Sequence, residues 1–218
     1  MKIVVIIPAY NEEKRIKNVI SQIKTHSDEI IVVDDGSKDD TYGIVSKDTD
    51  IIALQHDINL GKGAALKTGC EAAKKINADI IVCMDADGQH KAEDIPRFIE
   101  AIKQGNDIVF GSRTIGKGMP LMMFLGNKFL SSSICKLFKI FINDTQSGFR
   151  AFTKSAYEKI AWESNDYAVE TEMIIRAAKK DLKYKEIEIE TIYHDDYKGT
   201  TPVNGLQIFI KILKWRYL

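Results

Sequence analysis

Short apolar runs alternate with amphipathic segments through the first half of the chain. The runs are rich in isoleucine and valine, which is typical of strands that are buried on both faces. They lie at 3–7, 30–33, 51–54, 80–84 and 108–110. Helical spacing appears between them, as at Ile16, Val19, Ile20 and Ile23. This alternation predicts an α/β fold, with a mostly parallel central sheet and helices on both faces.

Two later segments, at about 117–142 and 204–218, have a different pattern. In the first, an apolar cluster around Pro120 precedes a helix with one apolar side and one basic side. The apolar side contains Leu130, Ile134, Leu137, Phe138 and Phe141, and the other side contains Lys128, Ser132, Lys136 and Lys139. Such a helix packs either on the protein's own core or at a membrane interface. The second segment is apolar on most sides, which suits either a membrane contact or a dimer surface.

Polar loops follow the predicted strands where parallel strands end on one edge of the sheet. They lie at 8–12, 34–37, 59–63 and 85–87. Ligands of open α/β sheets bind at the carboxyl ends of the strands, so this edge is the expected site. The 34–37 loop has the alternative of an ordinary Asp-Gly turn. The 59–63 loop is either a flexible helix start or a lysine and backbone amides that bind phosphate.

Asp85 and Asp87 come directly after the fourth apolar run. Paired carboxylates at such a strand end suit Mg²⁺ or Mn²⁺, which prefer oxygen ligands and leave room for substrate phosphates. The alternative is that the two residues only cap a turn before the next helix. Neither a Gly-x-Gly-x-x-Gly nor a P-loop motif is present, which argues against dinucleotide binding and P-loop hydrolysis.

Composition and charge set wider limits. Lys plus Arg and Asp plus Glu both number 31 in a chain of 218 residues, so net charge gives no support for a nucleic acid partner. Cys70, Cys83 and Cys135 are widely spaced, which favours free thiols in a reducing compartment. No apolar run is long enough to predict a membrane-spanning helix, and the N-terminus lacks a signal-peptide pattern. A single domain over 1–218 is expected.

The four loops, in this order, resemble the inverting glycosyltransferases of family 2, which have the GT-A (Rossmann-like) fold. The resemblance is carried by 7–13, 32–41, 59–64 and 85–90, and it continues through 111–113 and 144–150. It is strongest to the branch that makes dolichyl-phosphate mannose and to its relatives that use other sugars. It covers roughly residues 1–195 and implies a single glycosyltransferase catalytic domain.

The resemblance implies that one hexose moves from a GDP- or UDP-sugar to a polyprenyl (dolichyl) phosphate, with Mg²⁺ or Mn²⁺ as cofactor. It assigns the metal to Asp85, Asp87 and Gln89, and catalysis to Asp87, Arg113 and Arg150. The implied donor pocket contains Pro8, Ala9, Tyr10, Glu12, Asp35, Lys62, Asp85 and Ala86. Arg113, Ser147 and Arg150 are implied for the acceptor phosphate, since the arginine fork suits phosphate oxygens. The alternative is that either arginine pairs with a structural carboxylate such as Asp144.

The lipid acceptor places the expected protein on a membrane. We expect a cytoplasmic, peripheral (monotopic) protein on the inner face, with 117–142 and 204–218 as interface segments and a homodimer or membrane partner as a further expectation. Three features limit the resemblance. The Gly-Glu-Ser-Lys segment of the mannose branch is replaced at 197–202, Gly88 stands where leucine is common, and Gln-x-x-Arg-Trp is absent. The mannose donor is therefore not implied, and single sugar transfer is favoured over polymerisation.

Two residues and two other functions stay open. Glu170 is a sugar-pocket candidate through the resemblance alone, and His194 lies either near the diphosphate or in solvent. The first alternative function is a family 2 transferase with a non-lipid acceptor, and the second is a nucleotide-sugar-binding protein without transfer activity. A sugar-nucleotide synthase should open with a glycine-rich loop, which 8–12 is not.

Overall fold

Seven strands form one central sheet in the part of the chain that the computed structural model describes, residues 1–113, 121–192 and 202–217. Their spatial order is β3-β2-β1-β4-β6-β5-β7. All neighbouring pairs are parallel except those of β6, which runs antiparallel to β4 and β5. The strands are β1 (Ile3–Ala9), β2 (Glu29–Asp34), β3 (Ile52–Gln55), β4 (Ile80–Cys83), β5 (Ile108–Arg113), β6 (Arg150–Thr153) and β7 (Tyr184–Ile189).

Helices cover both faces of this sheet. They are α1 (Ile16–Ile23), α2 (Thr41–Val45), α3 (Lys62–Lys75), α4 (Ile95–Lys103), α5 (Leu121–Phe138), α6 (Lys154–Ile160), α7 (Val169–Lys179) and α8 (Pro202–Tyr217). Side chains alternate along β1, so Val5 and Ile7 pack with α1, α2 and α4, whereas Val4 and Ile6 pack in the core formed with α3 and α5–α8. Each such buried side chain stabilises the fold by about 1.5–3 kcal/mol.

The predicted α/β fold with a mostly parallel sheet is confirmed, and the five predicted strands are β1 to β5. The sequence pattern did not reveal β6 and β7. Strand β6 is only Arg150–Thr153, and it inserts antiparallel between β4 and β5. This insertion brings the 144–149 loop to the same sheet edge as the end of β4.

The structure corrects the interpretation of the first amphipathic segment. Helix α5 ends at Phe138, and Lys139 has a left-handed backbone with φ +62°. Leu130 and Ile134, on the apolar side for which both the protein's own core and a membrane interface were considered, are buried in the core shared with α7 and α8. The apolar side of α5 therefore packs on the protein itself. Most of the apolar cluster at Pro120 lies outside the described residues.

Across the three described ranges, no helix combines the length and the apolar character that crossing a bilayer requires.

Candidate active site

The loops after β1 and β2 are joined at the carboxyl edge of the sheet. The Asn11 backbone N–H donates to Ser37 Oγ at 2.8 Å, and the Lys38 N–H donates to Asn11 Oδ1 at 2.8 Å. The Glu12 N–H donates to Thr41 Oγ1 at 2.8 Å. These bonds fix the predicted donor loop Pro8–Glu12, in which Ala9 and Glu12 are buried and Tyr10 is exposed at the edge.

Asp35 holds the loop that leads into α3. Its buried carboxylate accepts hydrogen bonds from the backbone N–H of Leu60 at 3.0 Å and of Gly61 at 2.8 Å, and it contacts His56 Nδ1 at 2.7 Å. His56 Nε2 lies 2.9 Å from Thr68 Oγ1 on α3. Asp35 thus orders the rim of the predicted donor pocket, and direct contact with a nucleotide stays a prediction.

The glycines that flank Lys62 serve packing rather than an open phosphate site. The Gly63 N–H donates to the carbonyl of Asn165 at 2.7 Å, and Trp162 Nε1 donates to the Gly63 carbonyl at 2.8 Å. A Cβ at Gly61 or Gly63 would collide with the backbone at 164–165. The interpretation that backbone amides at this helix start bind phosphate is therefore wrong for Gly63, since its amide already has an acceptor.

Lys62 lies between two acidic side chains. Its Nζ is 2.7 Å from Asp85 Oδ1 and 2.7 Å from Glu170 Oε1. Burial acts to lower the pKa of Lys62, but the charges of Asp85 and Glu170 outweigh it and raise that pKa. Burial likewise acts to raise the pKa of Asp85, and Lys62 with His90, whose Nε2 is 3.3 Å away, lowers it. Lys62 and Asp85 are therefore charged together.

Gly148 lies directly against the ion pair of Lys62 and Asp85. A Cβ placed there would lie 2.5 Å from Asp85 Oδ2 and 2.8 Å from Lys62 Nζ. The turn before β6 therefore has room only for glycine while the pair stays in place. The sequence placed Gly148 in a matching motif but gave it no role, because the residue it touches is far away in sequence.

The surroundings of Asp87 fit a divalent cation. Burial first, and then the charge of Asp85, raise the pKa of the Asp87 carboxyl, so negative charge at this point is incompletely balanced. The Gln89 backbone N–H donates to Asp87 Oδ1 at 2.9 Å and orients the carboxylate. Within the described ranges no group of three or more acidic, histidine or cysteine side chains could hold a metal ion. A cation at Asp85 and Asp87 would therefore need ligands from a substrate phosphate.

Arg113 is oriented by Asp144. Its Nε lies 2.6 Å from Asp144 Oδ2 and its Nη2 lies 3.0 Å from Oδ1. Burial acts to raise the pKa of Asp144, but Arg113 outweighs it and lowers that pKa. Asn127 of α5 donates to Asp144 Oδ1 at 2.8 Å. The arginine thus sits at the end of β5, next to the first turns of α5, and its role toward an acceptor stays a prediction.

Arg150 does not suit the role that was predicted for it. The side chain is only 1% exposed, and its three guanidinium nitrogens donate to the carbonyls of Ser147, Thr145 and Glu170. Its guanidinium also lies 5.1 Å from the Phe110 ring centre. The assignment of Arg150 to catalysis and to an acceptor phosphate is corrected: it joins the 145–147 turn to α7. Ser147 is also buried, with its Oγ unpaired among the described residues.

A cavity of about 550 Å³ opens on the α1 side of Asp87. Its lining includes Lys14, Arg15, His90 and Lys91. Ala86, predicted for the donor pocket, is buried. His194 and the 197–201 loop lie outside the described residues.

Comparison with known proteins identifies the family. The model of "Glycosyl transferase family 2" matches residues 4–162. The chain belongs to glycosyl transferase family 2. It is 39% identical to the UDP-N-acetylglucosamine–dolichyl-phosphate N-acetylglucosaminyltransferase of Methanococcus voltae, over 97% of this chain and 94% of the relative. It is 27% identical to the polyprenol monophosphomannose synthase of Mycolicibacterium smegmatis, over 97% of this chain and 85% of the relative.

The solved structures agree with the fold of this glycosyltransferase. Glucosyl-3-phosphoglycerate synthase from Mycobacterium tuberculosis, solved with Mn²⁺, uridine diphosphate and phosphoglyceric acid, superposes with a TM-score of 0.78. The two proteins are 20% identical, and the match covers all of this chain and 79% of the other. The predicted GT-A architecture is confirmed, and the chain is an enzyme of the glycosyltransferase class.

Proposed function

We propose that this enzyme transfers one sugar from a nucleotide sugar to a polyprenyl phosphate, with Mg²⁺ or Mn²⁺ bound at Asp85 and Asp87. Similarity over nearly the full length of the Methanococcus voltae relative supports UDP-N-acetylglucosamine as the first donor to test. A GDP- or UDP-hexose is the alternative, supported by the polyprenol monophosphomannose synthase.

The state of the acidic residues carries the proposal for an anionic acceptor. Asp85 and Glu170 both bind the Lys62 ammonium, so neither is a free carboxylate that could act as a general base toward a hydroxyl acceptor. A polyprenyl phosphate needs no such base, because its attacking oxygen is already ionised at neutral pH. With Asp87 assigned to the cation, this arrangement is compatible with a phosphate acceptor, which the dolichyl-phosphate and polyprenol-phosphate relatives support.

The reaction is an inverting displacement. An oxygen of the acceptor phosphate bonds to the anomeric carbon, while the bond from that carbon to the donor diphosphate breaks and its electron pair leaves with the nucleoside diphosphate. When bound at Asp85 and Asp87, a divalent cation would supply charge neutralisation for the departing diphosphate. Lys62 contributes fixed positive charge beside Asp85, and Asp87 contributes a carboxylate ligand. Arg113, held in orientation by Asp144, presents cationic charge for the acceptor phosphate.

The location is also a proposal. A lipid acceptor and a water-soluble donor meet only at a membrane surface, so we place the enzyme as a peripheral protein on the inner, cytoplasmic face. Cell fractionation with protease treatment of sealed inverted and right-side-out vesicles tests this. Digestion only in inverted vesicles is expected, whereas digestion in right-side-out vesicles contradicts the assigned face.

A donor panel tests the activity. Purified enzyme is incubated with radiolabelled UDP-N-acetylglucosamine, UDP-glucose or GDP-mannose, Mn²⁺ and a polyprenyl phosphate, and the label is counted in the organic phase. One donor is expected to give a lipid-linked product that mild acid hydrolyses. Donor consumption with transfer only to a soluble acceptor would instead support a non-lipid acceptor, and tight binding without turnover would support a nucleotide-sugar-binding protein.

The role of Arg113 has its own test. Arg113→Lys keeps the charge but loses the planar fork. The Michaelis constant for polyprenyl phosphate should rise while calorimetric affinity for the nucleoside diphosphate is unchanged. A loss of nucleotide affinity with unchanged acceptor dependence would assign Arg113 to the donor.

A further inference from the structure

His56 links the 34–37 loop to helix α3. It directly follows β3, and its backbone N–H donates to the carbonyl of Asp34 at 2.9 Å, which fixes the residue beside the end of β2. Its Nδ1 lies 2.7 Å from Asp35 Oδ1, and the two side chains are 11% and 4% exposed. This contact is therefore largely shielded from water, and it is stronger than an exposed one.

The partners of the two ring nitrogens fix the orientation of the imidazole. An ionised carboxylate only accepts hydrogen bonds, so Nδ1 carries the proton that Asp35 accepts. Nε2 lies 2.9 Å from Thr68 Oγ1 on α3, so the far side of the ring is also held. A flipped ring would lose both contacts. The imidazole thus restrains rotation of the Asp35 carboxylate.

The orientation of Asp35 matters because this carboxylate holds the chain just before Lys62. Oδ1 also accepts from the Leu60 N–H at 3.0 Å, and Oδ2 accepts from the Gly61 N–H at 2.8 Å. Lys62 is the first residue of α3. The two bonds therefore set where α3 begins and the direction from which the Lys62 side chain reaches Asp85.

The 58–61 loop depends on these hydrogen bonds because its side chains bury little apolar surface. Ile58 and Leu60 are 66% and 47% exposed. The loop also packs closely on Gly36, where a Cβ would lie 2.4 Å from the Ile58 backbone. Close packing alone does not fix the direction of the chain, whereas hydrogen bonds to a carboxylate are directional and about twice as strong as neutral ones.

We infer that His56 is a positioning residue for the nucleotide donor. It orients Asp35, which holds the 58–61 loop and so places the Lys62 ammonium beside Asp85. The inference rests on the proposed function for the ligand that Lys62 serves, but the effect of His56 on the loop can be measured without any sugar transfer.

Hydrogen exchange of the full chain, followed by mass spectrometry, tests the effect on the loop. His56→Ala removes both ring contacts. Exchange in peptides over 57–63 should become at least about tenfold faster, because the Leu60 and Gly61 amides lose a fixed charged acceptor. Exchange in α1 and α4 should keep the wild-type rate.

Calorimetry with UDP and Mn²⁺, and with GDP and Mn²⁺, tests the effect on the ligand. The nucleotide that the wild-type enzyme binds should bind His56→Ala about tenfold more weakly, since Lys62 is no longer held in position. The Michaelis constant for polyprenyl phosphate should stay unchanged. His56→Asn keeps a side-chain N–H for Asp35 and should recover most of the nucleotide affinity.

His26→Ala is the matched control. His26 is another partly buried histidine, just after α1, and its replacement should change neither loop exchange nor nucleotide affinity. Circular dichroism checks that each variant is folded. Should His56→Ala not fold, Thr68→Val removes only the outer contact of the ring, and exchange over 57–63 should then become about fivefold faster.

A double-mutant cycle tests the route through Lys62. If His56 acts by placing Lys62, His56→Ala in a Lys62→Gln background should weaken nucleotide binding by less than about threefold. The same tenfold loss in both backgrounds would show that His56 does not act through Lys62 and would overturn the inference.

Two other outcomes also contradict the positioning role. One is wild-type exchange over 57–63 in folded His56→Ala, and the other is a loss of nucleotide affinity that His56→Asn does not recover. The proposed function is judged separately. If the wild-type enzyme binds neither nucleotide, the proposed function fails, whereas faster exchange over 57–63 in His56→Ala still supports the hold of His56 on the loop.

Discussion

Replacing Lys62 with methionine should unfold the protein far more easily than replacing a lysine elsewhere on the same helix. Lys62, Asp85 and Glu170 are 18%, 22% and 4% exposed, so the ammonium is the main compensation for two largely buried carboxylates. Removing one partner from a buried ion pair costs about 3–5 kcal/mol, because the remaining charge is unpaired. Since Asp85 keeps some contact with solvent, we expect about 3 kcal/mol for Lys62→Met.

Lys74 provides the matched control on α3. Its Nζ lies 3.9 Å from Glu71, and the two side chains are 40% and 47% exposed, so solvent screens the pair and Lys74→Met should cost at most about 1 kcal/mol. Urea denaturation followed by circular dichroism, in chelator to exclude metal effects, measures both variants. The reasoning is refuted if Lys62→Met costs no more than Lys74→Met.

The pH dependence gives a second check on the same pair. The pKa of Asp85 is lowered in the folded enzyme, so its pairing with Lys62 adds stability above the unfolded pKa of about 3.9, and this stability is lost as pH falls through the folded pKa. In Lys62→Met the unpaired, buried carboxyls should have raised pKa values. As the pH is lowered, these carboxyls in the variant become protonated before Asp85 does in the wild-type enzyme. The difference in the free energy of unfolding between the wild-type enzyme and Lys62→Met should therefore decrease in mildly acidic solution.

Three other substitutions follow from the structure. Gly148→Ala should lower transfer strongly by displacing Lys62 and Asp85, whereas Gly126→Ala on α5, where a Cβ meets nothing within 4 Å, should leave the transfer rate unchanged. Trp162→Phe removes the pyrrole ring of a fully buried indole together with its bond to the Gly63 carbonyl, and urea unfolding should show a loss of about 2 kcal/mol or more. The pKa of Glu172 is lowered, since hydrogen bonds from Ser164 and the Glu163 amide and the charge of Arg176 outweigh burial. The stability that ionised Glu172 contributes is present above its unfolded pKa of about 4.3 and is lost as pH falls through its pKa in the folded protein. Glu172→Gln should therefore make the free energy of unfolding depend less steeply on pH in acid. An unchanged pH dependence would contradict this.

Sequence periodicity predicted the parallel part of the sheet because its strands are continuous apolar runs with helices between them. It also placed Asp85 and Asp87 at a strand end, where the structure has them. Strand β6 was not predicted because Arg150–Thr153 is short and begins with a charged residue. The burial of Arg150 depends on carbonyl acceptors from 145, 147 and 170. No sequence pattern around Arg150 indicates that these carbonyls accept hydrogen bonds from its guanidinium.

In the site, the sequence likewise showed the residue types but not the contacts that residues distant in sequence make with them. Glycines at 61 and 63 were visible, but the backbone at 164–165 that requires them arrives from far along the chain. The amphipathic pattern of α5 showed that one side is apolar without showing what covers it, and the core of α7 and α8 does so. The partners of Lys62 come from the end of β4 and from α7, so only the fold could assign them, whereas the pairing of Arg113 with Asp144 was among the alternatives that the sequence left open.

Sugar transfer by the wild-type enzyme and by Asp87→Asn, with Mn²⁺ and with excess chelator, tests the central claim most directly. The substrates are a radiolabelled nucleotide sugar chosen from the donor panel and a polyprenyl phosphate. The account predicts that the wild-type enzyme forms lipid-linked product with Mn²⁺ and forms none in excess chelator. Asp87→Asn should form no product in either condition but should stay folded, because a carboxamide at this loop costs little stability. Full transfer by Asp87→Asn, or by wild-type enzyme in chelator, would contradict a metal-dependent transferase centred on Asp85 and Asp87.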